Sequence, residues 1–384
     1  MRVAYVSADP GVPVFGSKGN SVHVQEMIRA FLKSGAEVHL FTPNSGGEPP
    51  HDLRTIAVHR LPRAPKGDLA ERERSLISLN DVIAGVIAAH GPFDLLYERY
   101  SLWNFAAIEY ARRHGIPAVL EVNAPLIDEQ ADHRGLADRD AATTVARRAF
   151  RAANVLVAVS DGVAGYLRQF PDVGGTIEVV PNGVNPERFS SHESLELGDF
   201  VVGFLGTLKP WHGLETLIAA FARVHAIEPR ARLLVVGDGP ERERIERDLA
   251  SRGLSEASQF AGAVRPDEVP RHLMSMSVGT APYIPSDRFY FSPLKVLEYM
   301  AAQLPVVASR IGQIEQLIEH GRTGLLCKPG DPESLASTLL TLSGDVELRR
   351  RLGAAARRHV FAHHTWDAAA ARILRVAMEN YATP

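Results

Sequence analysis

Lysines and glycines recur at short spacing in the second half of the sequence, each just after an apolar run. The segments are GFLGTLKPWHG (203–213), LLVVGDGP (233–240) and FSPLKVLEYMA (291–301). In parallel α/β folds the chain turns from strand to helix at such places, and backbone N–H groups there can bind phosphate. A lysine adds a full positive charge. The pattern therefore predicts a site for a nucleotide or another phosphorylated ligand.

The segment FSPLKVLEYMA has the pattern of a helix start that binds an anion. Ser292 is expected to cap the helix and Pro293 to be its first residue. The free N–H groups of Leu294 and Lys295, with the lysine charge, would then face a phosphate. Glu298 lies one turn further on and is expected to accept hydrogen bonds from a ribose. The alternative is a capped surface helix with solvated Lys and Glu.

The segment GTLKPWHG supplies the next candidates. Gly206 ends the predicted strand 200–206, and Lys209 follows in the loop, where it could reach a diphosphate. His212 is assigned to the same ligand, although a histidine in such a loop more commonly packs against its neighbours. Backbone groups around Val264 and Arg265 are expected to contact the base.

The first half of the sequence offers weaker candidates. Gly16 and Gly19 lie in a loop where glycine would let the backbone approach a phosphate or sugar closely. His23 follows and could contact a ligand, although a structural role is the commoner one. Asn123, in EVNAPLIDE (121–129), follows another predicted strand, and its amide suits a sugar hydroxyl. An Asx turn at Asn123 is the alternative.

Two series of short apolar runs alternate with helical periodicity. Continuous runs of this length fit strands buried on both faces of a parallel sheet. Predicted strands are 2–7, 37–42, 55–61, 93–98, 117–122, 154–159 and 176–180, then 200–206, 232–237, 258–262, 278–282, 304–308 and 324–327. The polar stretch 181–199 is typical of a linker, and 345–381 is predicted to be helical.

Two such series predict an α/β protein with two doubly wound, Rossmann-like domains that face each other across a cleft. We place the first domain at 1–185, joined by a C-terminal helix at 363–384, and the second domain at 186–362.

Bulk composition excludes some classes of protein. The 384 residues are 45% hydrophobic and 23% charged, with a formal net charge of −3, so nucleic acid is not an expected partner. The single cysteine, Cys327, cannot form an intramolecular disulfide, which fits a reducing compartment. The N-terminus has the pattern of a buried strand, not a signal peptide, and no run approaches the ~20 apolar residues that span a bilayer. We expect a cytoplasmic protein.

Four arginines cluster around one predicted helix: Arg139, Arg147, Arg148 and Arg151. A solvated helix face is the simpler interpretation. The alternative is a patch for anionic lipid, which would place the protein at the inner face of the cell membrane.

Taken together and in order, these motifs resemble the retaining glycosyltransferases of family four, which have the GT-B fold. The resemblance covers nearly the whole chain. It is carried by the glycine loop 16–19, VPNGVNPERF (180–189), GFLGTLKPWHG, LLVVGDGP, FAGAV, SPLKVLEYMAAQLPVVAS and GLLCKPGDPESLA. It implies a nucleotide-diphosphate sugar donor, with UDP- or GDP-sugars favoured, bound by the second domain. It also implies an acceptor bound by the first domain, a last helix that crosses back onto that domain, and no metal or other cofactor.

The resemblance is uneven at the expected site. The family has two glutamates separated by seven residues; the second matches Glu298, but the first, which contacts the donor sugar, falls on Tyr290. The usual Arg of the strand-end loop falls on Thr207, and the usual Lys before the glycine falls on His212. A histidine common after an N-terminal strand falls at Asn123.

Lys209 and Lys295 are candidates to replace the missing positive charge and, with Asn123, are our candidate catalytic residues. Gly16, Gly19, Gly206, His212, Val264, Arg265, Ser292, Leu294 and Glu298 are the candidates for donor binding. The leading hypothesis is transfer of a sugar to an acceptor hydroxyl with retained configuration, in glycan, glycolipid or metabolite synthesis. A nucleotide-sugar epimerase and a non-catalytic nucleotide-sugar binding protein stay open as alternatives, as does, more weakly, a dinucleotide-dependent oxidoreductase.

Overall fold

A computed structural model describes residues 1–65, 67–190, 198–287 and 289–381. The chain divides into two compact units. The first contains Met1–Asn182, Tyr290–Ser292 and Trp366–Pro384, and the second contains Gly183–Phe289 and Pro293–Thr365. Most of the second half of the predicted linker, residues 191–197, lies outside the described residues.

The first unit contains a parallel sheet of seven strands in the order β3-β2-β1-β4-β5-β6-β7. The strands are β1 (Arg2–Ser7), β2 (Glu37–Thr42), β3 (Ala57–Arg60), β4 (Leu95–Arg99), β5 (Ala118–Val122), β6 (Val155–Ala158) and β7 (Thr176–Val179). The helices are α1 (Gly19–Lys33), α2 (Leu69–Ser78), α3 (Asn80–Ala88), α4 (Ala106–Arg113), α5 (Leu126–His133), α6 (Arg139–Ala152) and α7 (Asp161–Leu167). The order reverses between β1 and β4, which is where doubly wound sheets bind ligands.

The second unit contains a parallel sheet of six strands in the order β10-β9-β8-β11-β12-β13. The strands are β8 (Val201–Leu205), β9 (Arg232–Val236), β10 (Ser258–Gly262), β11 (Val278–Ala281), β12 (Val306–Ser309) and β13 (Leu325–Cys327). The helices are α8 (Leu214–Ile227), α9 (Arg242–Ser251), α10 (Val269–Met274), α11 (Leu294–Ala301), α12 (Ile314–Leu317), α13 (Pro332–Ser343) and α14 (Val346–His363). The predicted fold class, two doubly wound parallel sheets, is therefore confirmed within each unit.

Burial on both faces explains the apolar strands. In β9, Leu233 and Val235 enter one hydrophobic cluster while Leu234 and Val236 enter the cluster on the opposite face. Successive side chains of a strand point to opposite faces, so a strand covered on both sides favours apolar residues along its whole length.

The final helix, α15 (Trp366–Tyr381), belongs to the first unit. Trp366 is buried there, and its ring centre lies 4.8 Å from that of His23. Lys33 and Asp367 add an ion pair of 2.7 Å between α1 and α15. The region 345–381, predicted to be helical, consists of two helices, because α14 ends at His363 and α15 begins at Trp366.

The predicted cap of α11 differs from that in the structure. Helix α1 begins at Gly19 after Lys18 and has no side-chain cap. Helix α11 begins at Leu294 after Pro293, and again no side chain caps it. The Ser292 hydroxyl instead accepts a hydrogen bond from the backbone N–H of Asn182 at 3.0 Å.

Candidate functional site

Two glycine turns pack backbone against backbone at the carboxyl edge of the second sheet. Gly206 follows β8 with φ of +137°, and its N–H donates to the carbonyl of Val236 at 2.9 Å. Gly237, with φ of +135°, lies against the Gly206 carbonyl so closely that a Cβ would not fit. Both turns need glycine, and their contact fixes the loop that carries Lys209.

Lys295 is the most unusual side chain of this edge. The residue is only 8% exposed, and within the described part of the chain its Nζ has no hydrogen-bond partner. The amine lies 4.1 Å from the ring centre of Phe204 and 5.4 Å from that of Tyr283, both suitable for cation–π attraction. A Cβ at Gly206 would come within 3.0 Å of Nζ. Burial lowers the pKa of Lys295 to about 7, although Glu298 opposes this shift.

The ring of His212 lies near Lys295 and is neutral. Its Nδ1 lies 2.6 Å from the carbonyl oxygen of Thr207, which can only accept, so Nδ1 carries the proton and donates. Burial, and then the charges of Lys295 and Lys209, lower the pKa of His212 to about 2. The remaining nitrogen, Nε2, is therefore an acceptor at neutral pH. His212 does not supply the positive charge of the lysine that the family has at this position.

Lys209 is half-buried in the loop after β8. Its Nζ lies 5.5 Å from the ring centre of Trp211, in the one-turn 3-10 helix Pro210–His212. Its charge contributes to the lowered pKa of His212, which shows that the two side chains interact electrostatically. Lys209 therefore adds a second cation near the buried amine of Lys295.

The start of α11 offers backbone donors next to these cations. The first four N–H groups of an α-helix have no partner within the helix. No side chain caps the start of α11, and its second residue is Lys295. The helix dipole and the lysine charge both favour an anion here.

Glu298 lies one turn along α11 and is held by Arg188, which the sequence analysis did not single out. The Arg188 Nη1 is 3.3 Å from Glu298 Oε1, and each side chain is 16% exposed. The Arg188 Nη2 donates to the carbonyl of Pro266 at 2.6 Å. Arg188 belongs to the motif VPNGVNPERF (180–189). The spacing of that motif does not predict that Arg188 pairs with Glu298.

Arg265, expected near the base, is engaged by acids of its own loop. Its guanidinium pairs with Asp267 at 3.2 Å and with Glu268 at 3.5 Å. Its backbone N–H donates to the Glu268 carboxylate at 2.9 Å. The backbone N–H of Arg265 therefore already has a hydrogen-bond partner. The neighbouring residue Val264 is half-buried.

The structure brings five of the candidate residues into one group in the second unit: Gly206, Lys209, His212, Lys295 and Glu298. We call this group the cation cluster. A buried cation, a second cation and an uncapped helix start can together stabilise a pyrophosphate in a low-dielectric setting.

The other candidates lie in the first unit. Gly16 is tightly packed, since a Cβ there would lie 2.9 Å from the Ser21 hydroxyl. Gly19 is the exposed first residue of α1. Asn123 follows β5, and its Oδ1 is buried without a hydrogen-bond partner among the described residues. The close approach predicted for Gly16 is thus made by the protein's own chain.

A pocket of about 220 Å³ opens at the carboxyl edge of the first sheet, and we call it the first-unit pocket. Its walls come from the segments that follow β1, β4 and β5, and from α1, α5 and Tyr290. The polar residues that line it are Asp9, Asn20, Arg99, Tyr100, Asn123, Glu129, Arg134 and Tyr290.

His23 and Glu121 form a closed pair in the core of the first unit. The His23 Nε2 lies 2.8 Å from a Glu121 oxygen, and the two residues are 3% and 2% exposed. Burial raises the pKa of Glu121, but His23 and further hydrogen bonds outweigh burial and lower it overall. The interpretation of His23 as a ligand contact is therefore wrong, because its ring is already used inside the protein.

The arginine patch of α6 is largely neutralised. Arg139 pairs with Asp128, Arg147 with Asp172 and Arg148 with Glu109. Each pair is exposed enough to be solvated. These three ion pairs offset part of the positive charge of the helix face.

No group of three or more His, Cys, Asp or Glu residues in the described ranges is arranged to hold a metal ion. The sequence does contain spacings that metal sites can use, at His359 and His363 on α14 and at Asp138 and Asp140 where α6 begins, but neither forms such a group. None of the helices, over the residues that the structure describes, is long and apolar enough to cross a membrane.

Two family models account for most of the chain. The model described as "Glycosyltransferase Family 4" matches residues 18–188, and the one described as "Glycosyl transferases group 1" matches residues 199–345. The chain belongs to the family 4, group 1 glycosyltransferases. The glycosyltransferase thus has the GT-B fold that its motifs indicated.

Curated relatives of this glycosyltransferase match over almost its whole length. It is 29% identical to the D-inositol 3-phosphate glycosyltransferase of Stackebrandtia nassauensis, across 95% of this chain and 88% of that protein. It is 27% identical to the alpha-maltose-1-phosphate synthase of Mycolicibacterium smegmatis, across 98% of each.

Solved structures share its fold. Sucrose-phosphate synthase from Thermosynechococcus elongatus superposes with a TM-score of 0.80 at 22% identity, across the full length of both chains. Anabaena HepE, solved in complex with UDP and glucose, gives a TM-score of 0.73 at 20% identity, across 98% of this chain and 99% of HepE.

Proposed function

We propose that this glycosyltransferase moves a sugar from a nucleotide-diphosphate sugar to an acceptor hydroxyl, with retention of configuration and without a metal ion. The observation that carries the proposal is the buried amine of Lys295, which has no partner among the described residues and lies beside an uncapped helix start. A buried charge without a partner is costly, and a diphosphate would compensate it.

Within the cation cluster each group has a distinct part. Lys295 and the start of α11 would bind the diphosphate, and Lys209 would add charge as the leaving group departs. Glu298, oriented by Arg188, would accept hydrogen bonds from the ribose. His212, whose Nε2 is a hydrogen-bond acceptor, suits a donor hydroxyl rather than a phosphate.

In the reaction the bond from the sugar C1 to the diphosphate oxygen breaks, and a bond from C1 to the acceptor oxygen forms on the same face. The acceptor proton passes to the departing diphosphate. Because the cationic groups are fixed before the reaction, they stabilise the negative charge that develops on the leaving group. Loss of one such contact typically lowers the rate by about 100- to 1,000-fold.

The relatives support the choice of acceptor class. The names of the relatives include an inositol phosphate glycosyltransferase and a maltose-1-phosphate synthase. We infer a small hydroxylated acceptor for this chain, with UDP- or GDP-sugars as donors and action in the cytoplasm. The paired arginines of α6 give no support to a lipid acceptor.

The proposal is tested by a thermal-shift panel of UDP-, GDP-, ADP- and dTDP-sugars in EDTA, followed by transfer assays with the donor that binds. Proton NMR of the product should show the anomeric configuration of the donor. Transfer with inverted configuration would refute retention, and transfer only after a divalent cation is added would refute metal independence. A donor sugar that changes configuration without any acceptor would instead identify an epimerase.

A further inference from the structure

The guanidinium of Arg188 contacts two separate segments of the second unit. Its Nη2 donates to the carbonyl of Pro266 at 2.6 Å, in the loop 263–268 between β10 and α10. Its Nη1 lies 3.3 Å from Glu298 Oε1 on α11. These two partners lie 78 and 110 positions away along the chain, so Arg188 joins segments that the sequence keeps apart.

The backbone that carries Arg188 is anchored by the unit itself. It forms the one-turn 3-10 helix Pro186–Phe189, which begins with a hydrogen bond to the Asn185 side chain. At its other end Phe189 is buried in the core, and the Phe189 carbonyl accepts from Arg357 Nη2 at 3.0 Å. The position of the guanidinium is therefore set by the protein and not by a ligand.

An arginine suits this place in a way that a lysine does not. A guanidinium is planar and presents its N–H groups in fixed directions, so it can bond two acceptors at a set separation. An ammonium is a compact point of charge without that geometry. The side chains of Arg188 and Glu298 are each only 16% exposed, so solvent screens their attraction little.

The two partners of Arg188 correspond to the two halves of a nucleoside. Glu298 is the carboxylate expected on the ribose, and the loop 263–268 contains the backbone of Val264 and Arg265 that is expected to contact the base. The charge of Arg188 also reaches this loop electrostatically, because Arg265 and, to a smaller extent, Arg188 lower the pKa of Asp267.

We propose that Arg188 is a positioning residue for the nucleoside of the donor, and that by holding Glu298 and the loop 263–268 with one guanidinium it couples recognition of the ribose to recognition of the base. Arg188 acts through these two partners, and it contributes to the choice of nucleotide and not to the grip on the diphosphate. The inference rests on the proposed function, which supplies a nucleotide-sugar as the donor.

Calorimetric affinities for UDP, GDP and their 2′-deoxy forms test the proposal. The wild type should bind one of the two bases more tightly than the other. It should also bind the ribose form about 10- to 100-fold more tightly than the 2′-deoxy form, because a hydrogen bond to a charged carboxylate is lost in the latter. These two affinity ratios report on the base and on the ribose separately.

Two substitutions should change these ratios differently. Glu298→Gln replaces the carboxylate by a neutral amide whose oxygen can still accept from Arg188, so it should lower the ribose ratio and keep the base ratio. Arg188→Met removes the guanidinium from both partners and should move both ratios towards 1. Affinity for inorganic pyrophosphate, which has neither ribose nor base, should stay unchanged in both variants.

Two further arginine variants serve as controls. Arg188→Lys keeps the charge but not the planar pair of donors, so its ratios should resemble those of Arg188→Met. Arg349→Met is the matched control in the same unit. Arg349 also donates to a backbone carbonyl, that of Ser343 at 3.1 Å, at the end of α13, and its loss should change neither ratio.

The proposal is overturned if Arg188→Met keeps either ratio of the wild type, if Arg188→Lys keeps both, or if the wild type binds both bases equally. A failure of the proposed function is distinct from these outcomes. A wild type that shows both ratios but transfers no sugar would refute the transfer reaction and leave Arg188 in its role. A wild type that transfers sugar while Arg188→Met keeps both ratios would do the reverse.

Discussion

Binding of the donor should take up a proton at Lys295. Burial lowers the pKa of Lys295 from 10.5 to about 7 in the ligand-free protein, so at pH 7 about half of the molecules carry a neutral amine. A diphosphate favours the charged form and raises this pKa. Donor binding then requires protonation of the Lys295 amine, so the affinity for the donor falls as the pH rises above 7.

The size of the change in donor Kd with pH follows from the pKa of Lys295 alone. With a ligand-free pKa of about 7 and a bound pKa well above the pH range of the assay, the apparent Kd scales as 1 + 10^(pH − 7). The Kd should therefore rise about 5-fold between pH 7 and 8 and about 50-fold between pH 7 and 9. His212, with a pKa of about 2, stays neutral in this window, and burial raises the pKa values of Tyr283 and Tyr299 away from it.

Isothermal titration with UDP-glucose and GDP-mannose, whose phosphodiesters do not titrate here, measures both effects. Repeating the titration at pH 7 in buffers of different ionisation enthalpy should show uptake of about half a proton per donor. Lys295→Met should bind more weakly at pH 7, show no pH dependence, and unfold at a higher temperature because a buried amine is gone. Lys328→Met removes an exposed lysine, paired with Asp331, and should change nothing.

The reasoning is refuted if the wild-type Kd is flat between pH 7 and 9 while the donor still binds. It is equally refuted if Lys295→Met keeps the pH dependence of the wild type. Either result would mean that the amine is charged throughout, or that it does not face the diphosphate.

Three further predictions concern single residues. His23→Gln removes the imidazole that is hydrogen-bonded to the buried Glu121 carboxylate, and denaturant unfolding should show a loss of roughly 1–3 kcal/mol; an unchanged stability would contradict the pair. Gly206→Ala puts a methyl group against the buried lysine amine and should weaken donor binding in calorimetry, whereas Gly253→Ala, also at positive φ but in open space, should cost only stability; equal donor affinity in both variants would argue against the contact. Burial raises the pKa of Glu98 from 4.5 to about 8, so its ionisation opposes folding and stability falls as the pH rises between these values. Glu98→Gln should therefore raise the melting temperature more at pH 8 than at pH 5, and a gain independent of pH would show that Glu98 is ionised differently.

The sheets were predictable because each strand carries its own signal. Strand β1 was predicted at 2–7 and found at Arg2–Ser7, and β10 was predicted at 258–262 and found at Ser258–Gly262. A run of apolar residues is buried wherever parallel strands are covered on both faces, so local sequence decides it. The turns at Gly206 and Gly237 were also predictable from local sequence, because few residues other than glycine adopt such backbone angles.

The partners of polar side chains were not predictable in this way. Ser292 has a good local reason to cap a helix, yet its hydroxyl binds the N–H of a residue 110 positions earlier. The pairing of Arg188 with Glu298 spans the same distance, and that of His23 with Glu121 spans 98 positions. Such choices depend on which segments the fold brings together, and no local pattern contains that information.

Buried charge separates ligand sites from structural pairs more sharply than residue type does. His23 was a candidate ligand contact, but its ring is hydrogen-bonded to Glu121 inside the core. Among the described residues, the charged side chains with a buried atom that lacks a partner are Glu98, Arg99 and Lys295. Glu98 is neutral at pH 7 because its pKa is about 8, which leaves the two cations. Arg99 ends β4 beside the first-unit pocket, and Lys295 faces the turn after β8. Each cation thus lies at the carboxyl edge of its own sheet, where ligands bind in doubly wound folds, and each has a buried nitrogen without a hydrogen-bond partner among the described residues.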